Sequence, residues 1–118
     1  MNNRLLFRRA VYRGTPRKFV RFVYFDVLKH NQIKDSRIDL DNDIDQCLGL
    51  QDQYDNLIYE RDIVKVGDDV GVIKWIDHLA RFVISMQDVE PDFDNYDSYE
   101  LEVIGNLHQN KDLIEDLL

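Results

Sequence analysis

Most of this chain reads as short strands separated by turns. Arg4 to Ala10 is a short extended segment, and Gly14-Thr15-Pro16 is turn chemistry, because glycine tolerates positive φ and proline fixes φ. Phe19 to Leu28 follows as F-V-R-F-V-Y-F-D-V-L, a run dense in aromatic and β-branched residues that predicts a strand. Val20, Phe22, Tyr24 and Asp26 fall on one face, and Arg21, Val23, Phe25 and Val27 on the other. Both faces are largely apolar, so the pattern predicts cover on both sides, from the chain's own core and from a second subunit. Asn31 to Asp45 is polar and acidic, anchored only by Ile33, Ile38, Leu40 and Ile44. It predicts a long loop with one edge strand around Arg37 to Leu40.

The second half is denser in strand signals. Gln46 to Leu50 predicts a short strand, Asp52 to Asn56 a polar turn, and Asp62 to Val66 a further strand. Gly67-Asp68-Asp69 turns that strand into Val70 to Ile76, the clearest hairpin in the chain. Asp77-His78 leads to a strand at Arg81 to Met86. The acidic stretch Gln87 to Ser98 predicts an exposed loop, and Tyr99 to Leu107 a last strand. Asn110 is placed to cap a short C-terminal helix by accepting from the backbone N–H of Asp112 or Leu113. Leu113, Ile114, Leu117 and Leu118 would form its apolar stripe.

Composition agrees with a mainly β fold. The apolar fraction is 44%, enough for a modest core, yet only Ala10 and Ala80 represent the best helix former. At 118 residues the chain suits one domain with an appendage, divided as a basic β segment and acidic loop over 1–46 and a barrel with a C-terminal helix over 47–118. No apolar run approaches the roughly 20 residues that span a bilayer, and Met1 to Ala10 lacks the apolar core of a secretory signal. Cys47, the single cysteine, excludes an internal disulfide, fits a reducing cytosol and reads as a small buried hydrophobe.

Charge is distributed unevenly. Residues 1–30 carry eight basic side chains against Asp26 alone, whereas residues 31–118 carry 22 acidic and seven basic ones, so the net −8 divides into +7 and −15. Such a basic arm has two uses: contact with phosphate or an acidic partner, or contact with the acidic body of its own or a neighbouring subunit. Self-contact is the preferred expectation.

Several motifs carry a resemblance. Leu48-Gly49-Leu50 precedes a turn, and Ile58-Tyr59-Glu60, Asp62-Ile63-Val64, Gly71-Val72-Ile73 and Val103-Ile104-Gly105-Asn106 follow in order, with Phe7-Arg8 near the start. In this the chain resembles the YopX family of bacteriophage and prophage proteins. The resemblance implies a small SH3-like barrel or roll over roughly 47–110 and a bacterial cytoplasmic location. It implies no biochemical activity. The chain departs from the family pattern where Tyr54-Asp55 replaces an Asn-Gly turn and Arg61 replaces the glycine before D-I-V. A turn favouring positive φ must there be rebuilt without glycine, at some cost, or be a different turn.

Catalytic constellations are missing. His30, His78 and His108 are far apart, with no partner at metal-ligand spacing, and no glycine-rich phosphate loop is present. The tract from Asp39 to Asp45 lacks the glycine and closing glutamate of a calcium loop and reads as a solvated acidic loop. Glu60 and Asp62, flanking Arg61, suit a structural task, fixing a strand entry through backbone N–H groups. The expectation is therefore a protein that is not an enzyme, needs no cofactor or metal, and binds a macromolecule, as a homo-oligomer. Two alternatives stand beside it. Asp41, Asp43, Asp45, Asp92, Asp94, Asp97 and Glu100 could copy phosphates to inhibit a host nuclease or defence enzyme. Alternatively, Arg8, Arg9, Arg13, Arg17, Lys18 and Arg21, interleaved with Phe19, Phe22 and Tyr24, could bind nucleic acid directly. Trp75 is either a packing residue or an exposed aromatic anchor.

Overall fold

The computed structural model describes residues 6–26, 43–86, 97 and 100–117. Among these residues eight antiparallel strands follow one another: β1 (Leu6–Arg13), β2 (Lys18–Asp26), β3 (Ile44–Gln51), β4 (Leu57–Tyr59), β5 (Asp62–Val66), β6 (Asp69–Ile76), β7 (Arg81–Ser85) and β8 (Leu101–Asn106). They form two four-stranded sheets of order β2-β1-β3-β4 and β7-β6-β5-β8. The fold is thus mainly β. The expected edge strand near Arg37 to Leu40 and most of the acidic stretch from Gln87 lie outside the described residues.

The chain crosses between the sheets at Glu60-Arg61. Glu60 N–H donates to Gln46 O on the first sheet (2.9 Å), and Arg61 N–H to Ile73 O on the second (2.8 Å). Arg61 adopts a left-handed φ of 66°, which turns the backbone between two hydrogen-bonding directions in one residue. Asp55 takes the same φ of 66° in the turn after β3. Both turns that lack the expected glycine therefore keep left-handed geometry, on residues that bear its cost. At Asp55 the loss is offset by Asp52, whose fully buried carboxylate accepts from the N–H groups of Tyr54, Asn56 and, across the fold, Val103. Burial opposes the Asp52 charge, but these backbone donors hold its pKa below the usual carboxylate value.

Leu48, Ile58, Val64, Ile73, Ile84 and Leu101 make the main core, contributed by both sheets. Ile63, Val72 and Ile114 make a second cluster on the other face of β5 and β6. Adjacent residues Ile63 and Val64 thus serve opposite faces, as the strand period requires, and the second sheet is covered on both sides. The boundary between residues 46 and 47 falls inside β3, which pairs with β1 on one side and β4 on the other.

The expected C-terminal helix is not formed. Lys111–Leu117 is 3₁₀ structure interrupted at Ile114, whose φ of −133° and ψ of 22° are non-helical. Asn110 does not cap it through its side chain. Its Oδ1 accepts from Asn106 N–H behind it (3.2 Å), so it tightens the turn after β8 instead. Ile114 is buried at the second cluster while Leu113 remains 47% exposed. One anchored side chain therefore outweighs the weak helical preference of a seven-residue segment. Among the described residues, no helix is long and apolar enough to cross a membrane.

Gly71 leaves no room for a side chain beside the β7 side of the sheet. A Cβ there would lie 2.6 Å from Ile84 Cγ2 and 2.9 Å from Met86 Cγ. Replacing Gly71 with Ala should cost about 1–3 kcal/mol of stability through overpacking, measured as a lower urea midpoint with unchanged m-value.

Candidate functional site

The basic arm divides by the parity of β1. Leu6, Arg8, Ala10 and Tyr12 share one face, with Asp26, Tyr24, Phe22 and Phe19 opposite them on β2. Arg8 and Ala10 are buried on that face. Phe7, Arg9, Val11 and Arg13 share the other, opposite Phe25, Val23, Arg21 and Lys18. A bulge between Val11 and Tyr12 shifts the register so that the 45%-exposed Val20 has no cross-strand partner.

Arg8 is only 4% exposed and cannot serve as the surface contact expected of it. The correction has a clear physical cause: the acidic body supplies its counter-ions. Arg8 Nε donates to Asp45 Oδ2 (2.9 Å), and its Nη2 reaches Asp62 Oδ1 (2.8 Å) and Glu60 O (3.2 Å). Its guanidinium lies between the rings of Phe22 (4.3 Å) and Tyr59 (4.7 Å). Such stacking satisfies the faces of the planar cation while the edge is satisfied by carboxylates. Arg17 also turns inward, to Asp43 (3.1 Å), over the ring of Tyr12 (4.4 Å). The arm thus contacts the acidic body of its own chain.

Asp45 is the hub. It belongs to β3, two residues before Cys47, and both are fully buried. The solvated loop expected over this part of the acidic tract is therefore replaced by strand from Ile44. Besides Arg8, Asp45 accepts from Arg61 Nη1 (2.5 Å) and from His108 Nε2 (2.9 Å). Because a carboxylate only accepts, His108 Nε2–H donates. In the neutral imidazole, Nδ1 then accepts from the Tyr12 hydroxyl (2.5 Å). Tyr12, His108, Asp45, Arg61, Arg8 and Asp62 form one chain of contacts joining β1, β3, the crossover turn, β5 and the end of β8.

Charge in this network is unevenly compensated. Burial opposes the Asp45 charge, yet the His108 hydrogen bond and the charge of Arg8 outweigh it and lower its pKa. Asp62 has Arg8 and the Tyr59 N–H (2.7 Å), which do not match the cost of burial, so its pKa is pushed up to about 6. Burial likewise opposes the Arg8 charge, but Asp62 and then Asp45 more than offset it and raise its pKa. Burial also raises Glu60 and takes Tyr59 up to about 12. The expected structural task for Asp62 at the strand entry is met by its bond to Tyr59 N–H, with the ion pair to Arg8 added.

The remaining sequence-derived residues are scattered. Arg9 is half-buried and Arg13, Lys18 and Arg21 are exposed, all on the outer face of the β1–β2 ribbon. Phe22 packs inward, against Arg8 and edge-on to His108 at 5.6 Å. Tyr24 is 59% exposed and forms a wall of an open cleft of about 520 Å³ with Leu6, Leu57 and Tyr59. Trp75 is 40% exposed, on the far sheet, edge-on to Phe82 at 5.0 Å. Asp97 is exposed, and Asp41, Asp92 and Asp94 lie outside the described residues. Burial of Cys47 raises its thiol pKa, in keeping with a packing role. Among the described residues, no three His, Cys, Asp or Glu side chains are placed to hold a metal ion.

Next to the hub a cleft of about 460 Å³ opens at the hairpin end of the ribbon. It is lined by Tyr12, Arg17, Asp43, Arg61, Leu107, His108 and Lys111. Sequence reading did not bring these residues together. The one available signal was parity, which places Tyr12 with Arg8 and Asp45 with Cys47.

Removing one partner from a buried pair leaves the other charge uncompensated. Arg8→Met and Asp45→Asn should each cost about 3–5 kcal/mol, with strong non-additivity in the double variant, read from urea unfolding. The pH dependence follows from the two carboxyls. Asp62 holds its proton up to about 6 in the fold against 3.8 when free. Its contribution is full below 3.8 and is lost as pH rises through 6. Asp45 acts oppositely: its contribution is full above 3.8 and is lost as pH falls through its lowered folded value. Carboxyl carbon NMR should give Asp62 a midpoint near 6 while Asp45 stays ionised below the ordinary range. Asp62→Asn should remove the fall in stability between pH 4 and 6.

The comparisons with known proteins agree with the motifs. No curated protein matches the chain. A family model described as YopX protein matches residues 19–115, from the start of β2 to just beyond Ile114 and so across the crossover turn and the hub at Asp45 and His108. With most of its length matched, the chain belongs to the YopX family.

Proposed function

We propose that the protein is a phage- or prophage-encoded accessory factor that acts by binding, without chemistry of its own, in the cytoplasm of a bacterial host. The absence of chemistry is supported by the way the buried ionisable groups are used. Asp45 is engaged by three donors and Asp62 by two, so each serves the fold. The antiparallel strands of the described residues, packed around the main core, support reading the fold as the SH3-like roll that the family resemblance implies.

The observation that carries the binding reading is the outer face of the ribbon. Arg9, Arg13, Lys18 and Arg21 stand there with Val11 and Val23 between them. None of the four makes an ion pair among the described residues, on a chain whose net charge is −8. A surface so placed attracts an acidic partner, and a second copy of the chain supplies one. A basic ribbon against the acidic body of another copy can be reciprocated about a two-fold axis or repeated head to tail into a ring.

A second reading has its own support. Cations at two-residue steps along a ribbon recur at roughly 6.5 Å, a spacing suited to the backbone of a single nucleic-acid strand.

Size-exclusion chromatography with light scattering should show a species larger than the monomer at low salt that shifts toward monomer at high salt. Arg13→Glu with Arg21→Glu should abolish it. A monomer under all salt conditions removes the assembly. A mobility shift with single-stranded DNA at low salt, lost in the same double variant, would replace it with the nucleic-acid reading.

A further inference from the structure

The cleft at the hairpin end lies on the inward side of the ribbon, away from the outward cations. Among the described residues Arg17, Arg61 and Lys111 line it against one carboxylate, Asp43, which Arg17 spans at 3.1 and 3.4 Å. Asp45 behind the wall is occupied by Arg8, Arg61 and His108. The two arginines are held in place before any ligand arrives. Arg61 is fixed through Nη1 by Asp45 and by Ile44 O (3.1 Å), and Arg17 is laid over the Tyr12 ring. The Arg17 side chain is 57% exposed and that of Arg61 19%, so both are reachable from solvent. Pre-positioned guanidinium groups suit planar, bidentate recognition of oxyanions, and a cation already held by the fold loses little entropy on binding. Leu107 and the Tyr12 ring add apolar wall, and about 460 Å³ lies in the range of small-ligand sites.

We infer that this cleft binds a small organic phosphate, its phosphate group between Arg17, Arg61 and Lys111 and its carbon body against Leu107 and Tyr12. The site is separate from the ribbon face and does not depend on assembly through it. Its ligand is a phosphate monoester, free or as the terminus of a larger molecule.

The test uses the full chain, ¹⁵N-labelled, titrated at constant ionic strength with adenosine 5′-monophosphate, inorganic phosphate and adenosine, with sodium chloride as the reference salt. Adenosine monophosphate should give saturable shifts at the amides of Tyr12, His108 and Lys111. Inorganic phosphate should compete with it and bind more weakly, and adenosine alone should give no saturation. Lys111→Gln and Arg17→Gln should each weaken binding about tenfold, the loss of one charge-assisted hydrogen bond, with the melting temperature of Lys111→Gln unchanged. Arg13→Glu with Arg21→Glu should leave this binding intact while it removes assembly, so the two sites fail or stand separately. Shifts that sodium chloride reproduces, or saturation undiminished in Lys111→Gln, would overturn the inference.

Discussion

The fold depends on one buried carboxylate and the three cationic or donor groups that surround it. Asp45 sits on β3 with no exposure and receives Arg8 from β1, Arg61 from the crossover turn and His108 from the segment after β8. These partners lie 37, 16 and 63 residues away in the chain. A buried ion cluster of this kind adds little net stability compared with an apolar core, because desolvation consumes most of the Coulomb gain. Its effect is on which arrangement is allowed. Asp45 can be buried only if all three groups arrive together, so the two sheets and the chain end must dock in one relative position.

The same cluster explains the strain at Arg61. A left-handed arginine costs roughly 1–2 kcal/mol relative to ordinary backbone. Glycine would avoid that cost, but it would bring no guanidinium to Asp45 and would lose the contact with Ile44 O. The backbone N–H and C=O of Arg61 are both used as well, by Ile73 and by Leu107 (2.8 and 2.9 Å). Local strain is therefore held by four interactions that act on one residue, and the crossover is fixed where the two sheets meet.

The positions of every described strand but β4, the β5–β6 hairpin and the packing of Cys47 were legible because they rest on local signals: period-two alternation, turn residues and a small hydrophobe in an apolar run. The chain end was misread because Leu113, Ile114 and Leu117 have helical spacing, whereas only tertiary contact decides that Ile114 enters the core and breaks the helix. The site was hidden for a different reason. Arg8 and Asp45 look like surface charges in a sequence already rich in both, and burial of a charge depends on partners distant in the chain. Self-contact of the basic arm was foreseeable from the split of +7 against −15, but charge totals do not say which arginine pairs. Parity does: the even positions of β1 face inward and the odd ones outward, so adjacent Arg8 and Arg9 have opposite fates.

That parity also makes the cluster a register lock. Slipping β1 by one residue would turn Arg8 and Tyr12 outward and bring Arg9 and Arg13 to the inner face. In one direction Arg9 would take the place of Arg8; in the other Phe7 would, and Asp45 and Asp62 would lose their guanidinium together with its stacking between Phe22 and Tyr59. His108 would lose the Tyr12 hydroxyl, and the outer row of cations would be broken in the same step. The ions are thus better understood as what holds β1 in one alignment, and it is this alignment that separates the cations consumed by the fold from those presented to solvent.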